Sequence, residues 1–294
     1  MSWLSFDVGG TFIKYGVFSA TGALVEKGKC PTPYDKEEFF ETLANIAASY
    51  DQEGKLKGIG LSFPGFIDGQ QGLAVMAGAL TPLHGVNIKA ALAAKLRRPL
   101  PIAVANDANC AALAEFYQGN GKGTRDLVLV TLGTGIGCGI ILEGQIREGK
   151  HFRAGESGMM LMDLTATGFT TAHDLASTRA LVSAYGELYG LAPDQVEGEA
   201  IFADSREATQ QLLHRWGRKV AAVLFNIVAT LDPEKILVGG GVSQNPKLLP
   251  LLQESLASIP YWQEFHVPVA ACCFHNDAGL IGAYHLIKEL EETK

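Results

Sequence analysis

The chain has 294 residues, of which 47% are hydrophobic and 19% charged, a composition typical of a folded protein with room for two domains. Its 31 acidic and 24 basic side chains give a formal net charge of −7, which disfavours nucleic-acid and membrane partners because a phosphate surface requires a basic face. The N-terminus lacks a signal-peptide pattern, and the five cysteines fit neither a disulfide framework nor a CxxC zinc pattern, so we expect a cytoplasmic protein.

The N-terminal pattern predicts a β-hairpin whose strands flank the turn Gly9-Gly10-Thr11. Asp35 precedes a helix and is spaced from Glu38 as in a capping box. Further elements of this half are expected as strands at 24–29, 59–63 (ended by Pro64-Gly65) and 102–105, and as a helix at 108–117.

A glycine-rich stretch at 119–123 is the predicted hinge. After it the pattern restarts with a second hairpin around Gly133-Thr134-Gly135, in which Thr131 takes the place of Asp7. This repetition predicts two halves built on one plan. The later elements are a helix at 207–231 ended by Asp232-Pro233, a strand at 235–238 and a last helix capped by Asp277. Alternation of strands and helices predicts an α/β fold with domains at 1–118 plus about 280–294 and at 119–279.

Glycine-rich turns follow apolar strands at 7–11, 132–137 and 238–241. Glycine lets backbone N–H groups approach a ligand, so such turns can hold a polyphosphate without net positive charge. Each turn alone is also explained as a tight hairpin or a helix entry. The GxxxxGK[ST] and GxGxxG patterns are absent from the sequence, which excludes a P-loop and leaves a Rossmann site unsupported.

Several polar residues have both a structural and a chemical interpretation. Asp7 is either a turn-capping carboxylate or a group that orients a metal ion, directly or through water, beside phosphates. Asn106-Asp107 either caps a helix or supplies a general base at the carboxyl end of a strand, and the two roles can fall on neighbouring residues. Glu156 is either an exposed loop residue or an acceptor for the hydroxyl groups of a polyol.

The ordered set of motifs resembles the ROK family of sugar kinases over nearly the whole chain. The motifs are DVGGT at 7–11 with Lys14, PG at 64–65, NDAN at 106–109, LGTGIG at 132–137, GE at 155–156, GGGV at 239–242 and DAGLIGA at 277–283. The resemblance implies an actin-like ATPase fold with two ribonuclease-H-like domains around ATP and sugar, Mg²⁺ as cofactor, and a homodimer.

The resemblance also implies roles for individual residues. Asp107 would be the catalytic base, and the acceptor sugar would be bound by Asn106, Asp107, Glu156, Gly65 and Asp174. The phosphates and Mg²⁺ would face the first turn, namely Asp7, Gly9, Gly10, Thr11 and Lys14. The second turn would grip the phosphates through Thr131, Gly133, Thr134 and Gly135, and the adenosine would lie against Gly239, Gly240 and Gly241.

The sequence departs from the family at a zinc motif. Many members have a histidine after Gly-Glu-x-Gly, where this chain has Met159, followed by CxCGxxGCxE. The cysteine positions hold Thr165, Thr167 and Ala172, while Asp174 stands at the glutamate position. We therefore predict no structural zinc. The absence of the histidine also predicts a site that is more open, or differently shaped, around the anomeric carbon of the sugar.

The stretch 152–156 looks most like that of the zinc-free β-glucoside kinases. This likeness implies phosphoryl transfer to the 6-hydroxyl of a hexose or β-glucoside, with N-acetylmannosamine kinase and glucokinase as alternatives. A ROK-type sugar-sensing regulator is a different class. Such regulators carry an N-terminal helix-turn-helix, for which a hairpin beginning at Trp3 leaves no room. Another actin-like ATPase is a further alternative, but the NDAN and GE motifs favour sugar binding.

Overall fold

The chain folds into two units. The computed structural model describes residues 1–165 and 168–292. The first unit comprises Met1–Gln118, Glu148–Ala154 and the described residues from Asn276 onward, and the second comprises Gly119–Arg147 and the described part of Gly155–His275. Residues 293–294 of the domain expected at the C-terminus lie outside the described residues.

The first unit is built on a five-stranded mixed sheet. Its elements are β1 (Ser2–Val8), β2 (Phe12–Ser19), β3 (Leu24–Pro31), α1 (Lys36–Tyr50), β4 (Leu56–Phe63), β5 (Phe66–Asp68), β6 (Leu73–Met76), β7 (Val86–Asn87), α2 (Ile88–Lys95), β8 (Ile102–Asn106), α3 (Asp107–Gln118) and α9 (Ala278–Glu292). The sheet order is β3-β2-β1-β4-β8, and β5, β6 and β7 form a separate small sheet.

The second unit has its own five-stranded sheet. Its elements are β9 (Leu127–Leu132), β10 (Ile136–Leu142), β11 (Gln145–Ile146), β12 (Leu161–Thr165), β13 (Gly168–Thr171), α4 (Ala172–Ala176), α5 (Thr178–Tyr189), α6 (Gly198–Ile201), α7 (Glu207–Leu231), β14 (Lys235–Gly239), α8 (Leu248–Ala257) and β15 (Val269–Ala271). The sheet order is β11-β10-β9-β14-β15, and β12 pairs with β13 separately.

The two large sheets share one topology. In each, the first three strands pair antiparallel through hairpins. A fourth strand then pairs in parallel with the first, and a fifth pairs in parallel with the fourth. Parallel pairing needs a crossover, so helices separate the later strands along the chain. This shared order confirms that the repeated hairpin pattern marks two halves built on one plan.

Helix boundaries agree with the local signals. The Asp35 side chain accepts a hydrogen bond from Glu38 N at the start of α1, 3.0 Å away, as a capping residue should. Helix α7 spans the predicted residues and buries Trp216, Val220 and Leu224 on one face, each contributing roughly 1.5–3 kcal/mol by leaving water. It ends where Asp232 adopts a left-handed conformation. The Asp277 carboxylate, predicted to cap α9, is bonded to Lys27 Nζ at 2.9 Å.

The methionine residues in the stretch 159–162 do not all face the core. Met160 and Met162 do pack against the core of the second unit, but Met159 is 59% exposed. The chain turns sharply here because Ser157–Met159 form a 3-10 helix, which directs this side chain away from the core.

No helix of the described residues is long and apolar enough to span a membrane.

Helices α3 and α9 pack closely in the first unit. A Cβ at Gly282 of α9 would collide with the carbonyl of Cys110 in α3, so only glycine permits this approach. Near the other end of α3, the Gln118 amide nitrogen lies 2.7 Å from Nε2 of His285, and Tyr117 stacks on the same imidazole. Burial, helped by the charge of Lys288, lowers the pKa of His285 to about 4.

We expect His285 to make the first unit sensitive to acid. Because its pKa is lower in the folded state than the ordinary value of 6.5, the unfolded chain takes up the proton first. Stability is therefore full above pH 6.5 and falls as the pH drops toward 4, by up to about 3 kcal/mol. Urea unfolding at pH 7, 5.5 and 4 should show a smaller loss in His285→Gln. The exposed His214→Gln is the control, and equal acid sensitivity of all three proteins would contradict the assignment.

Candidate active site

The first glycine turn is a tight connection between β1 and β2. Gly9 N donates to Phe12 O at 3.0 Å, and the Thr32 hydroxyl donates to Gly9 O at 2.7 Å. Gly10 and Thr11 are exposed at the tip. The turn therefore presents accessible N–H groups and a threonine hydroxyl, which are the donors that a phosphate group needs.

Asp7 lies at the end of β1 in a crowded position. Its Oδ1 accepts a hydrogen bond from the Ser62 hydroxyl of β4 at 2.8 Å, and its Oδ2 lies 3.2 Å from Lys14 Nζ of β2. A Cβ at Gly279, in the first turn of α9, would collide with this carboxylate. The Asp7 side chain nonetheless remains 20% exposed, so it is fixed by its neighbours and still reachable by a ligand.

Lys14 is held in place by two acceptors. Besides Asp7, its ammonium group donates to the backbone carbonyl of Asn276 at 3.0 Å. The side chain is 38% exposed. The lysine thus balances the Asp7 charge and can still offer its third N–H to an anion.

Asn106 joins a helix to a loop. Its Oδ1 accepts from the backbone N–H groups of Ala108 and Asn109 at 2.9 and 3.2 Å, which makes it the N-cap of α3. Its Nδ2 donates to the carbonyl of Gly65 at 2.9 Å. Gly65 has a φ of +95°, and a Cβ there would collide with the Met76 carbonyl. The capping interpretation therefore falls on Asn106, whose second amide N–H is left to bind a ligand.

Asp107 is the first residue of α3 and is exposed. Its Oδ1 accepts from the backbone N–H of Ala108 at 2.8 Å. The positive end of a helix dipole favours an ionised carboxylate at this position. Since β8 ends at Asn106 in parallel pairing with β4, Asp107 stands at the carboxyl edge of the sheet, where α/β folds bind ligands.

The second glycine turn is braced by side chains and helix N–H groups of its own unit. The Thr131 hydroxyl accepts from Gly137 N at 3.2 Å, and Gly133 N donates to Gly135 O at 2.9 Å. Gly133 O accepts from Thr178 N at the start of α5, 3.0 Å away. Thr134 is exposed at the tip. The turn is thus rigid, with its outer donors accessible.

His173 is a site residue that the sequence did not reveal. Its Nδ1 accepts from Ile136 N at 2.9 Å, and its ring packs where a Cβ at Gly135 or Gly158 would be. The ring therefore connects the second turn to the loop that contains Glu156. Its only sequence signal is its position beside the capping residue Asp174, and no motif marks that contact.

Glu156 lies between two glycines with close neighbours. A Cβ at Gly155, where φ is +88°, would collide with the Cys138 carbonyl, and one at Gly158 would collide with the His173 ring. Burial raises the pKa of Glu156, and the nearby His173 partly offsets this rise. A half-buried carboxylate of this kind gains from accepting hydrogen bonds, as a sugar hydroxyl would supply.

The third glycine turn follows β14. Gly239 pairs with Thr131 in the sheet, so this turn lies beside the second one within the same unit. Gly240 has a φ of +92°, and a Cβ there would collide with the Leu132 carbonyl, whereas a Cβ at Gly241 would meet open space. The turn therefore leaves an accessible backbone surface at Gly241.

Asp174 has a local structural role. Its Oδ2 accepts from the Thr171 hydroxyl at 2.6 Å and from Thr171 N at 3.1 Å, and these bonds lower the pKa of Asp174. It closes a capping box at α4, so a contact with sugar stays a prediction.

Of the positions that hold the zinc ligands in many family members, Thr167 lies outside the described residues. The described residues contain no group of three or more His, Cys, Asp or Glu side chains placed to hold a metal ion.

Gly279 offers a test of the Asp7 position. We expect Gly279→Ala to displace the Asp7 carboxylate, because the added methyl group would overlap it. The resemblance to the ROK family implies that the first turn faces the phosphates of ATP. A shift of Asp7 away from this turn should then lower kcat/KM for ATP at least about tenfold, the effect of losing roughly 1.4 kcal/mol of transition-state binding. Steady-state kinetics would measure this. Gly168→Ala is a suitable control since a Cβ there meets nothing within 4 Å; equal kinetics in both variants would contradict the role of Gly279.

Several known proteins are similar to this chain over nearly its whole length. A β-glucoside kinase of Klebsiella pneumoniae is 34% identical over 99% of this chain and 97% of its own length. A ROK family protein from Streptococcus pneumoniae, solved in complex with sucrose, is 29% identical with a TM-score of 0.88, covering 100% of this chain and 99% of its own. A ROK glucokinase from Streptomyces griseus, solved with glucose and AMPPNP, is 26% identical with a TM-score of 0.79, covering 98% of this chain and 100% of its own.

These likenesses confirm the expected actin-like ATPase fold. The family model described as the ROK family matches residues 3–290. Because that match spans almost the full length and the named relatives cover nearly the whole chain, the chain belongs to the ROK family.

Proposed function

We propose that the chain is an ATP-dependent sugar kinase that transfers the γ-phosphoryl group to the 6-hydroxyl of a β-glucoside. The observation that carries the proposal is the pair at the start of α3. Asn106 caps the helix and binds Gly65, while Asp107 is exposed at the same corner. A carboxylate held at such a corner, beside an amide with a free N–H, suits a hydroxyl that must be both oriented and deprotonated.

The phosphates of ATP would be bound mainly by the backbone. Both hairpin turns expose N–H groups and a threonine hydroxyl, Thr11 in the first unit and Thr134 in the second. This arrangement explains how a chain with net charge −7 can hold a strongly anionic ligand. Preorganised dipoles of this kind stabilise transferring charge without reorganising.

Asp7 fits the requirements of Mg²⁺. This ion usually keeps several waters and takes one or two carboxylates together with substrate phosphates, and Asp7 is a single, fixed and partly exposed carboxylate beside a phosphate-type turn. Bound there, Mg²⁺ would neutralise charge on the phosphates. Ser62 and Lys14 fix the carboxylate that would hold it.

The acceptor side depends on Asp107 and Asn106. Asp107 would accept the proton of the attacking hydroxyl as the phosphoryl group moves onto its oxygen. Asn106 would orient the sugar through its remaining N–H, and Glu156 would accept a hydrogen bond from another hydroxyl. Phosphoryl transfer relies on positioning and electrostatics more than on covalent catalysis, and these side chains supply positioning.

A β-glucoside is favoured over a simple hexose for two reasons. Met159 replaces a histidine and is exposed, so its side chain offers no polar contact to an anomeric hydroxyl. The relatives also include a β-glucoside kinase and a protein that binds a disaccharide, sucrose.

A homodimer and a cytoplasmic location stay predictions.

The direct test is ADP release with Mg·ATP and a panel of sugars: glucose, cellobiose, gentiobiose and N-acetylmannosamine. We expect the two disaccharides to be phosphorylated with the highest kcat/KM, because the anomeric side of the glucose would be open. Turnover of glucose alone would remove the β-glucoside proposal. Turnover of N-acetylmannosamine alone would favour an N-acetylmannosamine kinase. ADP release that does not depend on any sugar would contradict the proposed sugar kinase function.

Asp107 can be tested separately. Replacing it with asparagine keeps the shape but removes the proton acceptor, so kcat should fall about 100-fold or more. Sugar binding, followed by calorimetry, should change much less because Asn106 and Gly65 are untouched. The exposed Asp194→Asn is the control for loss of one charge. Near-normal turnover of Asp107→Asn would show that another group accepts the proton.

A further inference from the structure

A short segment of the chain leaves one unit for the other. Residues Glu148–Ala154 belong to the first unit, although the chain on both sides of them belongs to the second. We call these residues the returning segment. It folds as a compact turn, with Phe152 N bonded to Gly149 O at 3.3 Å and Ala154 N bonded to Glu148 O at 3.1 Å.

The base of the returning segment is fixed by charged groups. A Cβ at Gly69 would come within 2.8 Å of Glu148 Oε1, so the carboxylate lies against this loop. Lys89 Nζ donates to the carbonyl of Gly69 at 2.6 Å. Burial and the Asp68 charge raise the pKa of Glu148, while Lys89 offsets part of the rise.

The tip of the segment is unusual. Phe152 has a φ of +58°, a left-handed conformation that a bulky aromatic side chain rarely adopts. Such a backbone persists only where the surroundings determine it, and such residues cluster at ligand-binding positions. Here the conformation sets the direction of the next residue, Arg153.

Arg153 lies beside the corner that carries the candidate catalytic residues. Its guanidinium carbon is 5.4 Å from the centre of the Phe66 ring, a cation–π distance. Phe66 directly follows Gly65, whose carbonyl is bonded to Asn106. Arg153 itself is exposed, and the ion pairs found among the described residues do not include it. Its planar set of N–H donors is thus held against an aromatic ring and left to bind a ligand.

We propose that Arg153, held against Phe66, recognises the second sugar ring of a disaccharide acceptor by donating hydrogen bonds to its hydroxyl groups. The inference rests on the proposed function, since it concerns the part of the acceptor beyond the phosphorylated glucose. The exposed part of the Phe66 ring adds an apolar surface, against which the C–H groups of a sugar can pack.

The test compares a disaccharide with glucose. The variants are Arg153→Ala, which removes the donors, and Phe66→Leu, which keeps an apolar side chain but removes the ring beneath the guanidinium. For Arg153→Ala, we expect the ratio of kcat/KM for cellobiose to that for glucose to fall about tenfold or more, the usual cost of losing a charged hydrogen bond. Phe66→Leu should lower the ratio less. Arg97→Ala, which removes an exposed arginine elsewhere in the first unit, should leave the ratio unchanged.

The outcomes separate the inference from the function on which it rests. Suppose that the wild-type protein phosphorylates cellobiose. If Arg153→Ala then lowers kcat/KM for cellobiose and for glucose by the same factor, or lowers neither, the role of Arg153 is wrong and the proposed kinase function is unaffected. If the wild-type protein phosphorylates no β-glucoside, the proposed function fails and the inference fails with it. A loss confined to cellobiose supports both.

Discussion

The carboxylate of Asp7 occupies a place that exists only because Gly279 has no side chain. This constraint ties together four elements of the first unit: β1 carries the carboxylate, β4 supplies Ser62, β2 supplies Lys14, and α9 begins against it. The packing of the last helix of the chain therefore helps to fix the position of a group in the first strand.

In the second unit a different side chain fixes the glycine turn. Asp7 and its partners fix the strand that leads into the first turn. The second turn is braced by the His173 ring, which accepts from Ile136 N and occupies the space that a Cβ at Gly158 would need. An imidazole that accepts from a backbone N–H must be unprotonated at that nitrogen. The Ile136 N–H is therefore paired within its own unit.

The sequence could predict features that depend on neighbours along the chain. The two hairpins and the ends of α7 follow from alternation, helical periodicity and turn residues, which act locally. The repeated sheet order followed because the hairpin motif itself was repeated. Features that depend on distant contacts could not be predicted. His173 braces a turn 37 residues earlier in the chain, Gly65 is bound by an amide from β8, and the returning segment crosses to the first unit. No local sequence pattern predicts these contacts, because each depends on how the strands and helices pack.

The corner at Asn106 and Asp107 shows how capping and chemistry can share a helix start. If one acidic residue both capped the helix and accepted a proton, its carboxylate oxygens would already be bonded to the helix N–H groups. Here the neutral Asn106 takes two of these bonds, and Asp107 accepts one through Oδ1 while remaining exposed. The positive end of a helix dipole is a favourable place for a negatively charged group. In phosphoryl transfer through a loose transition state, bond formation to the attacking oxygen lags behind cleavage, so the proton is needed late. For Asp107, which we propose as the proton acceptor, a well-defined position therefore matters more than high basicity.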